Sequence, residues 1–304
     1  MNTLSTDKEH VAVLGLGAMG LPMATCLQQS FDVHGFDVNE SRRSLADAEG
    51  VAVHASARLA AKGAGLVLVA VRNEQQLLEV LFGQEGVVDV LTPDAVVVLT
   101  STVGMAAIPE TASRLDQRGI SFVDAPLSGG SARAAAGDLL ILVGGAPSAV
   151  ERARPVLDAL ASTLTVVGDR PGDGQAVKTV NQLLCGVHIA AAAEALALAD
   201  ALGLDRRATL EALEMGAAGS FMLSNRGPRM LDAYDENSAE VLSRLDIFVK
   251  DMGIVGAATR SFGLAAPVSA AAEQLFLLAK THGLGEHDDS AVIRMVAPAR
   301  LQAD

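Results

Sequence analysis

The stretch HVAVLGLGAMGLPMATCLQ, residues 10–28, decides how this chain folds. Its β-branched opening from His10 reads as a buried strand, and its continuation from Gly20 reads as a helix. Gly15, Gly17 and Gly20 punctuate the turn between them as GxGxxG. In such a turn the first glycine makes the tight bend, the second lets backbone approach a pyrophosphate, and the third lets helix and strand pack closely. The helix N-terminus then turns its unpaired N–H groups toward the anion. A second strand follows and ends at Asp37, 37 − 15 = 22 positions beyond the first glycine, where an acid holds the ribose hydroxyls of a dinucleotide. The expected cofactor loop is therefore Gly15, Leu16, Gly17, Ala18, Met19 and Gly20, with Asp37 behind it. The charge of Asp37 would repel a 2′-phosphate, which favours NAD over NADP, although Arg42 and Arg43 follow closely enough to receive one.

Working outward, short β-branched runs alternate with helical segments at 10–15, 31–37, 65–71, 95–100, 120–125, 139–144 and 163–168. Such alternation implies βαβ units and a mainly parallel, doubly wound sheet. After Gly168 the strand-like runs stop, and long Ala/Leu-rich segments with helical spacing take over, broken at Gly203, at Gly216–Gly219 and at Gly263–Pro267. The PGDG stretch at 171–174 is the natural joint. The expectation is a dinucleotide-binding domain over 1–170 and an all-helical domain for substrate and oligomer contacts over 171–304.

Half of the 304 residues are apolar, enough for a large buried core, and the formal charge is −13. That charge argues against nucleic acid or an anionic membrane surface, which require basic patches. Cys26 and Cys185 lie in helical segments with no CxxC pair and no His/Cys cluster, so neither a metal site nor a disulfide scaffold is indicated. The N-terminal MNTLSTDKEH is polar and lacks the apolar core of a secretion signal, and the Ala-rich run 186–199 is too short to span a bilayer. These features predict a cytoplasmic protein with no membrane partner.

Hydride chemistry on an alcohol needs a base for the hydroxyl proton. A Tyr-x-x-x-Lys pair is excluded, because the sole tyrosine is Tyr234 and Ser238 follows it four residues on. A catalytic zinc lacks ligands; a histidine base stays open among the six histidines, though none sits in an obvious Gly-rich or strand-end context. Lys178 remains, the single cation in GDGQAVKTVNQLLCGVHIAAAAEALALA at 172–199. Burial disfavours the charged form of an amine, so a lysine there can act as a proton acceptor, or it can snorkel to water. Asn181, Gln182 and Cys185 share its helical face at i+3, i+4 and i+7. Thr102, in LTSTVGM at 99–105, lies at a strand's carboxyl end, as either a nicotinamide contact or a helix cap. DAPLSGGSARAAAGDL at 124–139 exposes backbone N–H groups at Ser128, Gly129 and Gly130 that suit a carboxylate, or is a flexible βα loop. Arg133, Phe221, Met222 and Asn225 follow turns and are candidate pocket residues.

GLGAMGLPMA, DAPLSGGSARAAAG, GDGQAVKTVNQ and FVKDMGIV (248–255), in this order, resemble the motifs of the β-hydroxyacid dehydrogenase family along nearly the whole chain. That family includes 3-hydroxyisobutyrate dehydrogenase, tartronate semialdehyde reductase and the decarboxylating 6-phosphogluconate dehydrogenases. The resemblance implies a Rossmann domain followed by an all-helical domain, with the active site in the cleft and homodimers or homotetramers formed by the helical parts. It implies that Lys178 is the catalytic acid/base, that Asn181 orients substrate, and that Ser128, Gly129 and Gly130 bind its carboxylate. It further implies that Asn73 and Thr102 contact NAD and that Lys250, braced by Asp251, reaches cofactor or substrate. Asn73 lies in VRNEQQ at 71–76, which replaces a Pro-containing strand end common in the family. Within the family, the 181–199 helix, NRGPRML (225–231), DIFVKDMGIV and DDSAVI (288–293) look most like the L-threonate dehydrogenases, which oxidise the 2-hydroxyl of a four-carbon sugar acid. The alternatives are a reductase of tartronate or another short semialdehyde acid, a 3-hydroxyisobutyrate-type dehydrogenase, and a non-catalytic dinucleotide-binding module, against which Lys178 and Asn181 together argue.

Overall fold

The computed structural model describes residues 8–234 and 240–297, so the N-terminal residues 1–7 read above lie outside it. The chain forms two compact units, the first ending at Lys178 and the second beginning at Thr179. In the first, strands β1 (His10–Leu14), β2 (Asp32–Phe36), β3 (Ala52–Val53), β4 (Leu66–Val69), β5 (Val96–Leu99) and β6 (Ser121–Asp124) are followed by β7 (Leu127–Ser128), β8 (Leu139–Gly144) and β9 (Ala161–Gly168). Between them run α1 (Gly20–Leu27), α2 (Glu40–Ala48), α3 (Ala57–Ala61), α4 (Glu74–Phe82), α5 (Ile108–Asp116), α6 (Gly130–Ala135) and α7 (Pro147–Leu160). The sheet order is β3-β2-β1-β4-β5-β6-β8-β7, with β9 paired to β8. The pairs from β3 through β6 are all parallel, and the order in which the chain adds strands reverses at β1, as in a doubly wound sheet.

Strand pleating explains why the apolar runs are continuous. Val11, Val13, Leu66, Leu68, Val96 and Val98 face one core with Met23, Leu27, Val150 and Leu157 of α1 and α7. Ala12, Leu14, Val67, Val69, Val97 and Leu99 face the other with Leu77, Leu81, Ile108 and Leu115 of α4 and α5. A sheet covered on both faces needs apolar side chains at successive positions. The two-residue strands β3 and β7 are too short to show any periodicity, and β7 pairs antiparallel to β8.

The second unit is helical: α9 (Arg206–Met215), α10 (Phe221–Leu231), α11 (Leu245–Ser261), α12 (Pro267–Thr281) and α13 (Ile293–Val296) join most of α8 (Asp173–Ala201). Its core gathers Ile189, Ala193 and Leu196 of α8 with Phe248, Met252 and Phe276, the two phenylalanine rings stacking at 5.3 Å. At 29 residues, α8 outruns the apolar stretch marked in the sequence and is long and apolar enough, by length and composition alone, to cross a membrane. Its buried face belongs to this core, as does that of an ordinary core helix. The NRGPRML and DDSAVI stretches meet here: Arg226 makes a two-pronged contact with fully buried Asp289, and Arg229 bonds Asp288.

Candidate active site

The turn between β1 and α1 takes the shape its glycines require. Gly15 has φ +98°, and a Cβ there would lie 2.3 Å from the Ala70 carbonyl oxygen. A Cβ on Gly20 would lie 1.8 Å from the Gly15 oxygen, so strand and helix approach only because both lack side chains. A Cβ on Gly17 would meet nothing within 4 Å, leaving open space over the exposed Ala18 and half-buried Met19. No side chain caps α1, and its first turn carries no acid. Such a helix head, with bare backbone beside it, is a fit for a pyrophosphate.

Asp37 joins the same loop through its carboxylate, which accepts the Leu16 N–H at 2.7 Å and the Asn39 N–H at 2.8 Å. Arg42 donates to the Leu16 carbonyl at 2.8 Å and Arg43 to the Asp37 carbonyl at 2.6 Å. Both guanidinium groups thus brace the backbone of the acidic loop. Asn73 caps α4, accepting the Gln76 N–H at 2.9 Å, and the Gln76 side chain reaches back past the cap to accept the Arg72 N–H at 2.9 Å. A cavity of about 540 Å³ opens beside it, lined by Asn73, Glu74, Leu78, Phe82 and Arg114. It touches neither the glycine turn nor Lys178, and we assign it no part in the chemistry. Thr102 does not cap α5, whose N-terminal boundary is Ala107 with no side-chain cap.

Lys178 is 6 % exposed. The head of its helix is anchored from outside the helix. Asp124, at the end of β6 and fully buried, accepts the Gly172 N–H at 2.7 Å and the Gln175 N–H at 2.6 Å. Burial pushes this carboxyl up from 3.8 to about 6, against the pull of the backbone hydrogen bonds and with help from the nearby charge of Asp173. Gln175, also fully buried, accepts the Val103 and Gly104 N–H groups at 3.1 and 3.3 Å and donates to the Ser101 carbonyl at 2.9 Å. Lys178 follows Gln175 by one turn. The helix head, the 101–104 loop that holds Thr102, and the start of the 124–139 stretch are therefore tied together. Sequence reading passed over Asp124 and Gln175; the available signal was an acid closing a strand at the carboxyl edge of the sheet.

Beyond Asp124, Ser128 pairs with Leu140 across β7 and β8, and Gly129 and Gly130 are exposed with φ of 144° and 80°. A Cβ on Gly130 would meet nothing within 4 Å. Arg133 turns back to Asp138 at 2.8 Å. In the second unit, Asn181 donates to Gln182 at 2.9 Å and to the Cys185 sulfur at 3.4 Å. Gln182 donates to Asp251 at 2.6 Å, and Lys250 lies 3.0 Å from the other Asp251 oxygen. The helical face read from spacing is thus a polar chain running from Asn181 to Lys250. Phe221 is 70 % exposed, while Asn225 accepts from Arg226.

Comparison with known proteins agrees with this architecture. The NAD-binding domain of 6-phosphogluconate dehydrogenase matches residues 10–168, and the NAD-binding region of NADP-dependent 3-hydroxyisobutyrate dehydrogenase matches residues 172–296. The L-threonate dehydrogenase of Cupriavidus necator is 40 % identical over 94 % of this chain and 95 % of its own length. The 3-sulfolactaldehyde reductase of Escherichia coli is 34 % identical over 94 % and 95 %. The crystal structure of 3-hydroxyisobutyrate dehydrogenase from Salmonella typhimurium superposes with a TM-score of 0.85 at 37 % identity, covering 94 % of this chain and 99 % of that one. The chain belongs to the β-hydroxyacid dehydrogenase family. It is an NAD-dependent hydroxyacid dehydrogenase that acts on a small molecule.

Proposed function

We propose that the substrate is a four-carbon sugar acid, L-threonate or a near relative, oxidised at its 2-hydroxyl with Lys178 as general base. The observation that carries this reading is the burial of Lys178 one turn beyond a helix head tied to the carboxyl ends of β5 and β6. Bound NAD supplies the hydride acceptor. The neutral Lys178 amine takes the hydroxyl proton as the C2 hydrogen departs with its electron pair, leaving a 2-oxo acid. Burial withdraws the water that would stabilise an ammonium ion, which suits a base.

The amides of Gly17, Ala18 and Met19 hold the pyrophosphate, Gly15 and Gly20 shape the turn, and Asp37, which Leu16 ties to that turn through its own N–H, receives the ribose hydroxyls. Thr102 and Asn73 border the cofactor. The backbone N–H groups at Ser128, Gly129 and Gly130 take the substrate carboxylate, Asn181 orients its hydroxyls, and Lys250 completes the charge balance. The exposed Val180, Leu184 and Leu198 share one face of α8, which supports assembly as a homodimer or homotetramer. Cys26 and Cys185, neither of them in a disulfide, fit a cytoplasmic setting.

The test is NADH formation across three- to six-carbon hydroxy acids, both threonates, both erythronates, glycerate and 3-hydroxyisobutyrate included, with Lys178→Ala in parallel. One four-carbon acid should stand out, and the variant should bind NADH without turning over; a variant matching the parent ends the role of Lys178. The kinship with 3-sulfolactaldehyde reductase supports a second reading, a reductase of short aldehyde acids. That reading predicts NADH consumption with tartronate semialdehyde and no oxidation of threonate.

A further inference from the structure

Helix α8 does not cap itself. The residue before its first turn is Gly172, which has no side chain to accept an N–H group, and the Asp173 carboxylate instead accepts the Arg170 N–H at 3.1 Å. Two donors at the head, the Gly172 and Gln175 N–H groups, are taken by Asp124, from 48 and 51 positions away in sequence. Gln175 then reaches the 101–104 loop, 71 to 74 positions away, and satisfies two donors and one acceptor there. The contact is close: a Cβ on Gly174 would lie 2.7 Å from the Leu142 oxygen and 2.8 Å from the Asp124 carboxylate, and one on Gly144 would lie 2.6 Å from the Gly174 nitrogen. The first turn of α8 is thus held directly on the sheet edge with no room to slide.

We infer that Asp124 and Gln175 are positioning residues of the reaction: together they lock the first turn of α8 to the 101–104 loop and so set where the Lys178 amine stands. The inference rests on the proposed role of Lys178. Asp124 fixes the height of the helix head on β6, because one carboxylate bonds the N–H groups on either side of that turn. Gln175 fixes its rotation, because an amide that gives to one carbonyl and takes from two N–H groups has a single orientation. A shift of the helix by a fraction of a turn would carry Lys178 away from the hydroxyl it serves without altering either binding loop.

The test uses the full chain with Gln175→Met, which keeps volume and removes the bonds, and Gln175→Glu, which restores the acceptor. With the best acid of the panel, Gln175→Met should lower kcat by roughly tenfold to a hundredfold while both KM values and the dissociation constant for NADH stay within about threefold, and Gln175→Glu should recover much of the loss. A Gln175→Met enzyme with the parent's kcat overturns the inference when Lys178→Ala is inactive; an active Lys178→Ala overturns the proposed mechanism first. Hydrogen exchange on the unaltered protein gives a readout independent of turnover and of how the variants fold. The Val103 and Gly104 amides should be protected by about a hundredfold or more, to the same degree as those of the α8 head. Loop-like exchange at these amides, within about tenfold of the unstructured rate, means that the lock is absent and ends the inference.

Discussion

Replacing Asp124 with asparagine should change how the stability of the first unit depends on pH. The carboxyl is fully buried and, through burial first, its pKa rises from 3.8 to about 6 in the folded chain. A raised acid pKa means that the folded state holds the proton more tightly than the unfolded state. The stability associated with that proton is complete below 3.8 and is lost as pH rises through about 6. The whole shift corresponds to roughly 3 kcal/mol. Over the accessible window from pH 7 to pH 5, the linkage relation leaves roughly 1 kcal/mol, gained on acidification. Asparagine does not titrate at this site, so the difference between the two proteins carries the effect while other titrations cancel. Cancellation is needed because His10 and His54 work the other way. Burial first lowers both pKa values from 6.5, so their contribution is lost as pH falls below that value. The chain has no tryptophan and its one tyrosine lies in the second unit. Hydrogen exchange of the β4, β5 and β6 peptides, corrected for intrinsic rates, is therefore the probe. The parent should gain roughly 1 kcal/mol over the variant between pH 7 and pH 5. A difference that stays flat, or reverses sign, would refute the assignment of Asp124 as a buried anion at neutral pH.

Two glycines of the same turn should part company: Gly20→Ala, whose Cβ would meet the Gly15 oxygen at 1.8 Å, should lose roughly 1–3 kcal/mol of stability together with NADH binding. Gly17→Ala, with nothing within 4 Å, should fold normally and weaken NADH alone, as thermal unfolding beside a fluorescence titration would show. Arg226→Ala leaves the fully buried Asp289 without its two-pronged partner and should cost about 3–5 kcal/mol, read as a lowered melting temperature; a loss below about 1 kcal/mol would mean that Arg229 alone suffices. His10→Gln removes one member of the His10–His34–His54 cluster and should flatten the loss of stability between pH 6.5 and 5, measured by thermal unfolding across that range.

The parts of the fold legible in the sequence are those with short-range causes. Gly15, Gly17 and Gly20 lie within one turn, and the runs at 66–69 and 96–99 are apolar at every position because both faces of the sheet are covered. Lys178 was legible for a related reason: a cation among small apolar residues contradicts its own surroundings. What stayed hidden depends on long-range pairing. Nothing local marks Asp124 as the cap of a helix beginning at residue 173, because the Gly172 N–H it accepts becomes its neighbour only when β6 and β8 lie side by side. Asn73 shows the opposite difficulty. Its cap on the Gln76 N–H is local and readable, whereas its cofactor contact is implied by resemblance alone.

The choice of a carboxylate at Asp124 has its own logic. A side-chain cap at position 172 would be strained by the backbone φ of +105° there, and it would tie the helix only to itself. An asparagine at 124 would present an N–H to one of two donors. Only an anion accepts both N–H groups with nothing left to satisfy. Its ionisation there is unfavourable by roughly 3 kcal/mol above pH 6 even after the hydrogen bonds of the helix head have offset part of the burial cost. A chain selected for stability alone would place a neutral cap there. A chain that must hold one amine in place gains from a cap whose geometry admits a single arrangement, and the same reasoning accounts for Gln175, whose amide has one way to satisfy Ser101, Val103 and Gly104 at once.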